Sequence, residues 1–320
     1  MWRAARASAG PRTRQPVESY GTPTDARRPF GAAYRVVAAN YLLTTWRANG
    51  RADEGADTGG RKRPAPTRRT PPAAQPAPVR PTPVPTPFRC PAMPKVKALL
   101  FDSNETLLDL AALDPLLRRV YRGEPRARTL WFGQVVQLFL GATVVGRFRP
   151  FSELADSALD LAAAQLQLPP VPKAERAAVH AALLELPAHG DVRPALERLR
   201  RDTTLTLAVL TNTGSAAIKA QLRHAGLDGL FDHVLSADGP ECYKPAKNAY
   251  AYGAKTLGLD LDQVRLVAAH AWDVSGALAA GAKAAFVARP GQTLDPHAPL
   301  PDVGGATLTE VAEAVVRADG

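Results

Sequence analysis

The sequence contains little cysteine and few aromatic residues. Among its 320 residues there are two cysteines, and aromatic residues make up 6%. Cys90 lies in a proline-rich stretch and Cys242 lies far along the chain, so a disulfide framework is not expected. This scarcity favours a reducing compartment, and we predict a cytoplasmic location.

The sequence also lacks a long apolar segment. A helix that crosses a membrane needs about 20 consecutive apolar residues. The longest apolar run extends from Val135 to Val145 and is interrupted by Gln137. A buried helix explains this run better, and we predict no membrane partner.

Positive charge is concentrated at one end of the chain. The formal net charge is +10, but residues 1–92 carry 16 Lys and Arg against 5 Asp and Glu. Residues 93–320 carry 24 basic and 25 acidic residues and are nearly neutral. Because most of the chain has no excess of positive charge, its charge gives no reason to expect a nucleic-acid partner.

The basic segment is also rich in proline, because residues 1–92 hold 15 of the 30 prolines. Proline at the density found between Pro64 and Pro87 prevents regular helix or sheet, and the segment is predicted to be a disordered Arg- and Pro-rich extension. The charge balance changes near Met93. Two explanations remain open: translation starts at Met93 and the upstream residues belong to a wrong gene model, or they form a basic flexible tail.

The rest of the chain alternates between short apolar segments and amphipathic segments of helical length. This alternation predicts an α/β fold, a Rossmann-like parallel sheet with helices on both faces. The interval 112–187 gives no strand signal and is predicted to contain four helices, inserted as a cap. The core would then comprise residues 93–111 and 188–320. The predicted strands are Ala98–Phe101, Leu205–Leu210, His233–Leu235, Val264–Ala269 and Ala284–Ala288.

Polar residues follow several of the predicted strands. They form four clusters, at Asp102–Thr106, Thr211–Asn212, Lys244 and His270–Asp273. Each cluster alone has an ordinary structural explanation as a helix cap, a turn or a solvated loop. Together they suggest one site, because the carboxyl ends of parallel strands meet at the same edge of a sheet.

In their order along the chain, these clusters resemble the motifs of the haloacid dehalogenase superfamily, over about residues 96–290. The resemblance implies that Asp102 is a nucleophile and that Thr211 is the hydroxyl residue of the second motif. It implies that Lys244 is the lysine of the third motif and that Asp273 is the acid of the fourth.

The phosphatase branch of this superfamily differs from the chain at two positions. Those enzymes carry a second Asp two residues after the nucleophile, as a proton donor, and another Asp early in the fourth motif that holds magnesium. The chain has Asn104 and Ala269 at these positions. The resemblance therefore argues against a magnesium-dependent phosphatase and implies neither a metal nor another cofactor.

The same motifs resemble the L-2-haloacid dehalogenases, whose fourth motif has the form small-small-Asn-Ala-Trp-Asp. The chain keeps the last three residues, and His270 replaces the Asn. In the implied mechanism Asp102 displaces halide from a small 2-haloacid, and water then hydrolyses the aspartyl ester. Lys244 would keep Asp102 ionised, and Asp273 would pair with Lys244 and position the water. The implied substrate-binding residues are Thr106, Thr211, Asn212, Tyr250, His270, Phe132 and Trp272.

One position departs from this branch. Its members carry, after a Trp of the cap, an Arg that receives the halide and the substrate carboxylate, whereas here Phe132 follows Trp131. Phenylalanine offers no charged donors. A hydrolase with a different small substrate and a catalytically weak binding protein therefore stay as alternatives. His270 is open to three roles, as a hydrogen-bond donor, as a base for the water or as a structural residue. A homodimer is left open as well.

Overall fold

A computed structural model of the protein describes residues 95–320. The predictions made for residues 1–92 and for a start at Met93 lie outside this range. Within it, no helix is long and apolar enough to cross a membrane.

A sheet of six parallel strands forms the centre of the fold. The strands are β1 (Ala98–Phe101), β2 (Thr206–Thr211), β3 (His233–Ser236), β4 (Val264–Ala268), β5 (Lys283–Val287) and β6 (Val303–Gly305). Their order across the sheet is β3-β2-β1-β4-β5-β6. The buried strand β1 is central, and its Phe101 pairs with Val209 on one side and Val267 on the other. The residue after β1 therefore lies in the middle of the sheet edge.

Nine α-helices surround the sheet within the described residues. Four of them come between β1 and the next core helix: α1 (Asp114–Val120), α2 (Ala127–Val144), α3 (Phe151–Gln165) and α4 (Lys173–Leu184). The others are α5 (Val192–Asp202), α6 (Ser215–His224), α7 (Lys247–Thr256), α8 (Ala271–Ala280) and α9 (Leu308–Asp319). The α/β class with an inserted helical segment is confirmed, whereas the division into a core and a cap at 112 and 187 stays a prediction.

Each face of the sheet has its own apolar cluster, as expected for strands that are buried on both sides. Leu99 and Phe101 belong to a cluster that includes residues of α5, α6 and α9 and extends into the inserted helices. Ala98 and Leu100 belong to a second cluster with residues of α7 and α8. Alternate residues of β1 thus support helices on opposite faces.

The inserted helices pack through the apolar stripe of α2. Trp131, Val135 and Phe139 recur every four residues, and all three are buried. The Trp131 indole Nε1 also donates a hydrogen bond to the carbonyl of Ala155 on α3, at 3.1 Å. Because Trp131 is held inside the helical segment, its neighbour Phe132 faces a different direction.

Three local predictions need correction. The sequence pattern predicts a helix over Ala111–Arg122, but this segment begins as a 3-10 turn, Leu110–Leu113, and α1 starts only beside Pro115, which suits a helix N-terminus. The pattern also predicts a helix over Ser275–Ala280, which in the structure begins earlier, at Ala271. The last strand, β6, was not predicted, because it is three residues long and contains two glycines, which have low strand propensity.

A buried arginine connects β4 with the end of the chain. The side chain of Arg265 is fully buried, and its Nε donates to Asp319 Oδ2 at the end of α9, at 2.6 Å. Its Nη2 donates to Asp302 Oδ2, just before β6, at 3.0 Å. The Asp319 side chain is 2% exposed, whereas that of Asp302 is 56% exposed. Only Asp319 therefore depends on Arg265 for compensation of its charge.

We predict that Arg265→Met lowers the free energy of unfolding by about 3–5 kcal/mol, because the Asp319 carboxylate stays buried without a partner. Urea denaturation measures this change. The double variant Arg265→Met/Asp319→Leu should recover most of the loss, since it removes both buried charges. An unchanged urea midpoint in the single variant would contradict the prediction.

Candidate active site

The polar clusters at the strand ends meet around one buried ammonium group. Lys244 Nζ donates to Asp102 Oδ1 at 2.9 Å and to Asp273 Oδ2 at 2.6 Å. The side chains of Lys244, Asp102 and Asp273 are 1%, 7% and 0% exposed. Asp102 follows β1, Lys244 lies in the loop between β3 and α7, and Asp273 lies in the first turn of α8. The structure thus brings together the three residues that were predicted to be catalytic.

The Lys244 loop is held by Asn212, which follows β2. Asn212 Oδ1 accepts a hydrogen bond from the Lys244 amide at 2.9 Å, and its Nδ2 donates to the Lys244 carbonyl at 3.1 Å. Its contacts thus position the backbone of Lys244. The substrate-binding role of Asn212 stays a prediction.

Thr106 holds the second oxygen of Asp102. Its hydroxyl donates to Asp102 Oδ2 at 2.8 Å and accepts from the amide of Ala269, after β4, at 3.0 Å. Arg289 stabilises this turn, because its Nη2 donates to the Thr106 carbonyl at 2.9 Å and its Nη1 to Asp191 Oδ2 at 2.8 Å. The sequence analysis missed Arg289, although its place just after β5, at the same sheet edge, could have indicated it.

Thr211 and Tyr250 contact the neighbours of Asp102 rather than Asp102 itself. The hydroxyls of Thr211 and Ser103 share a hydrogen bond of 2.5 Å, and Ser103 is a residue that the sequence analysis missed. The Tyr250 hydroxyl donates to Asp273 Oδ1 at 2.6 Å. Both oxygens of Asp273 therefore accept hydrogen bonds, as expected of a carboxylate.

Burial and the neighbouring opposite charges shift the pKa values of Asp102, Lys244 and Asp273 in opposite directions. Burial opposes the charge on Asp102, but the Lys244 ammonium and His270 hold its pKa well below the usual range. Burial also opposes the charge on Lys244, yet the two carboxylates raise its pKa. For Asp273, burial raises the pKa in spite of Lys244. Asp102 is therefore an ionised carboxylate at neutral pH, as a carboxylate nucleophile must be.

His270 lies on the other side of Asp102. Its Nδ1 is 3.3 Å from Asp102 Oδ2, and its ring stacks on Trp272 with centroids 5.2 Å apart. The Phe132 ring is 5.6 Å from it. Within residues 95–320, neither ring nitrogen of this buried histidine has an aligned hydrogen-bond partner. A buried polar atom without a partner needs an explanation.

A cavity of about 20 Å³ lies in front of Asp102. It is lined by aromatic rings and a few polar groups: Asp102, Asn104, Phe132, Phe139, Phe151, Thr211, Asn212, Thr213, His270 and Trp272. Phe151 and Thr213 also line a larger cleft of about 360 Å³. Lys244, Asp273, Tyr250 and Thr106 are not among the lining residues. The polar groups that hold Asp102 thus lie behind it.

The positions that differ from the phosphatase motifs have other contacts here. Asn104 Nδ2 donates to Thr213 Oγ1 at 3.2 Å. Ala269 contributes its backbone amide to Thr106 and has no polar side chain. Among the described residues, no group of three His, Cys, Asp or Glu side chains is placed to hold a metal ion.

Comparisons with known proteins point to one family. The chain is 28% identical to haloacetate dehalogenase H-2 of Moraxella sp. (strain B), over 66% of this chain and 93% of that protein. It is 29% identical to an (S)-2-haloacid dehalogenase of Pseudomonas sp. (strain YL), over 71% and 98%. The structure matches that of L-2-haloacid dehalogenase from Xanthobacter autotrophicus with a TM-score of 0.64 and 26% identity, over 70% and 100%.

The family model for haloacid dehalogenase-like hydrolases matches residues 96–281. This range is more than half of the chain and includes Asp102, Lys244 and Asp273. The superfamily resemblance is thereby confirmed, and the chain belongs to the haloacid dehalogenase-like hydrolases.

Proposed function

We propose that the protein is a hydrolase of the 2-haloacid dehalogenase type, which displaces halide from a small 2-haloacid through an ester on Asp102. The observation that carries the proposal is the ionised Asp102 carboxylate, which lines a small cavity with aromatic walls and is held from behind by Lys244 and Thr106. The three relatives named above are a haloacetate dehalogenase and two 2-haloacid dehalogenases, and their names support the same reaction.

The proposed reaction has two steps. A carboxylate oxygen of Asp102 attacks the carbon that bears the halogen, a carbon–oxygen bond forms, and halide leaves with the bonding electron pair. Water then attacks the carbonyl carbon of the aspartyl ester. The acyl–oxygen bond breaks, the 2-hydroxy acid departs, and Asp102 returns as a carboxylate while one proton is released to solvent.

The groups behind Asp102 serve both steps. Lys244 Nζ, 2.9 Å from Asp102 Oδ1, keeps the carboxylate ionised before the attack and stabilises the negative oxygen that forms when water adds to the ester. Asp273 accepts a hydrogen bond of 2.6 Å from the ammonium, and the Tyr250 hydroxyl in turn holds Asp273 through a second hydrogen bond of 2.6 Å. Asp273 also remains our candidate for positioning the water.

The size of the cavity favours a short substrate. A free volume of about 20 Å³ leaves little room beside Asp102, which favours a substrate of few atoms. The rings of Phe132, Phe139 and Trp272 offer an apolar surface of the kind that a carbon-bound halogen would contact. A two- or three-carbon acid, such as a haloacetate or a 2-halopropionate, fits these walls best.

The contacts around Asp102 favour this chemistry over phosphoryl transfer. The Lys244 ammonium is bonded to both carboxylates, Asn104 cannot act as a carboxylic proton donor, and Ala269 has no ligand atom in its side chain. We therefore propose no metal or other cofactor. The cytoplasmic location, the homodimer and the absence of a nucleic-acid partner stay predictions.

Asp102→Asn should lower the rate of halide release from L-2-chloropropionate by about four orders of magnitude or more, because the amide is a poor nucleophile. A halide electrode measures the rate. In a single turnover of the unaltered enzyme in heavy-oxygen water, the label should appear in Asp102 and not in the product. The exposed Asp262→Asn is the matched control, and full activity of Asp102→Asn would refute the mechanism.

Tyr250→Phe should lower kcat by about 10- to 100-fold, because Asp273 loses a hydrogen bond to a charged group. Tyr252→Phe, on the same helix, makes the same chemical change away from Asp273 and should keep the rate. Circular dichroism and steady-state kinetics of both variants test the prediction. Equal kinetics for the two variants would show that Asp273 does not depend on Tyr250.

A chelator such as EDTA should leave halide release unchanged, because no step is assigned to a metal ion. The protein should also show no hydrolysis of p-nitrophenyl phosphate that depends on added magnesium. Either a loss of halide release with EDTA or a magnesium-dependent phosphatase activity would contradict the prediction and indicate a member of the phosphatase branch.

A further inference from the structure

The charges at the site do not balance for an anionic substrate. The carboxylates of Asp102 and Asp273 share the single ammonium of Lys244, which leaves one excess negative charge. If the proposed function holds, the substrate is itself a carboxylate. A second negative charge would then enter a buried, already negative site, where repulsion is strong because the surroundings screen it poorly.

The nearby arginines do not correct this imbalance. Arg128, on α2, is bonded to Glu105 and to Asp114. Arg289 is bonded to Asp191 and to the carbonyl of Thr106. Neither arginine lines the cavity, and position 132, which faces it, is a phenylalanine. Among the residues that line the cavity, His270 is the one whose side chain can carry a positive charge.

The position of His270 suits such a role. The residue is 4% exposed, and its ring lines the cavity. Nδ1 lies 3.3 Å from Asp102 Oδ2, and the buried Nε2 has no hydrogen-bond partner among the described residues. Phe132 packs against the same ring, with centroids 5.6 Å apart. The imidazole of His270 therefore offers a hydrogen-bond donor without a partner, next to the uncharged side chain of Phe132.

The groups around His270 favour its charged form. Burial lowers the pKa of the imidazole, but the carboxylates of Asp102, Asp273 and Glu105 outweigh it and raise the pKa above 6.5. The opposing charges are few, since Lys244 is shared by two carboxylates and Arg128 is paired with Glu105. The ring of Trp272, stacked on the imidazole, attracts a cation through its π face.

We propose that His270, in its protonated form, binds the carboxylate of the substrate and is thereby the specificity-determining residue for acids. Protonated His270 makes the group of four side chains neutral before the substrate enters. Its free Nε2–H supplies the donor that Phe132 cannot. The protein should consequently prefer a haloacid to the corresponding uncharged amide, and this preference should be lost when the imidazole loses its proton.

The test compares a charged and an uncharged substrate in the full-length protein. For His270→Asn, the KM for L-2-chloropropionate at about pH 6 should rise about 10- to 100-fold, whereas the KM for 2-chloropropionamide should not change. In the unaltered protein the KM for the acid should rise as the pH passes the raised pKa of the His270 imidazole and the ring loses its proton, and the variant should lack this dependence. The exposed His297→Asn is the matched control.

A second variant distinguishes the loss of a positive charge from structural damage to the site as the cause of a raised KM in His270→Asn. Phe132→Arg in the His270→Asn background places a permanent cation beside the same cavity and should lower the KM for the acid again, without the pH dependence. If His270 had a purely structural role, its replacement would instead raise the KM for the acid and the KM for the amide equally. An equal loss for both substrates, or an unaltered pH profile in His270→Asn, would overturn the proposal.

Binding of lactate, a 2-hydroxy acid that carries no halogen, separates this inference from the proposed function. Calorimetry should show that the unaltered protein binds lactate more tightly than His270→Asn does, at about pH 6. If the protein releases no halide but shows this difference, the proposed function fails and the role of His270 stands. Equal lactate affinities in the two proteins would overturn the role of His270.

Discussion

A single ammonium group between two buried carboxylates determines the arrangement of the site. Such charges cannot be buried apart, because each would lose its hydration without compensation. The end of β1, the loop before α7 and the first turn of α8 must therefore remain in a fixed relation, so that Lys244 reaches Asp102 and Asp273 at 2.9 and 2.6 Å. The central position of β1 in the sheet makes this relation possible.

The surroundings of Asp102 are divided into a polar side and an apolar side. Behind the carboxylate, Lys244 and Thr106 bond to its two oxygens, while Asn212 and Arg289 hold the segments that carry these donors. In front of it, aromatic rings enclose a small cavity. The same carboxylate is thus held by hydrogen bonds on one side and presented to a largely apolar space on the other. This division suits a displacement at carbon, in which the nucleophile must be charged, oriented and poorly hydrated.

Sequence patterns predicted most of the elements and the candidate catalytic residues, but not strand β6, two of the helix starts or all the contacts. The motif order along parallel strands predicted Asp102, Lys244 and Asp273, and the structure brings them together. Asn212 was expected to contact substrate, but its hydrogen bonds to the Lys244 backbone were not predicted. Arg289 was missed, because its function depends on a turn from a distant part of the chain.

The sequence by itself determined the α/β class, the inserted helices and the set of candidate site residues, because periodicity, strand-end position and motif order are properties of the linear chain. Only the tertiary structure decided which side chains face the cavity and how their charges balance. Asp102 and Lys244 are 142 residues apart in sequence, so their distance depends on packing across the whole sheet. The same holds for His270, whose pKa is raised by carboxylates and whose ring is packed by aromatic side chains from separate segments.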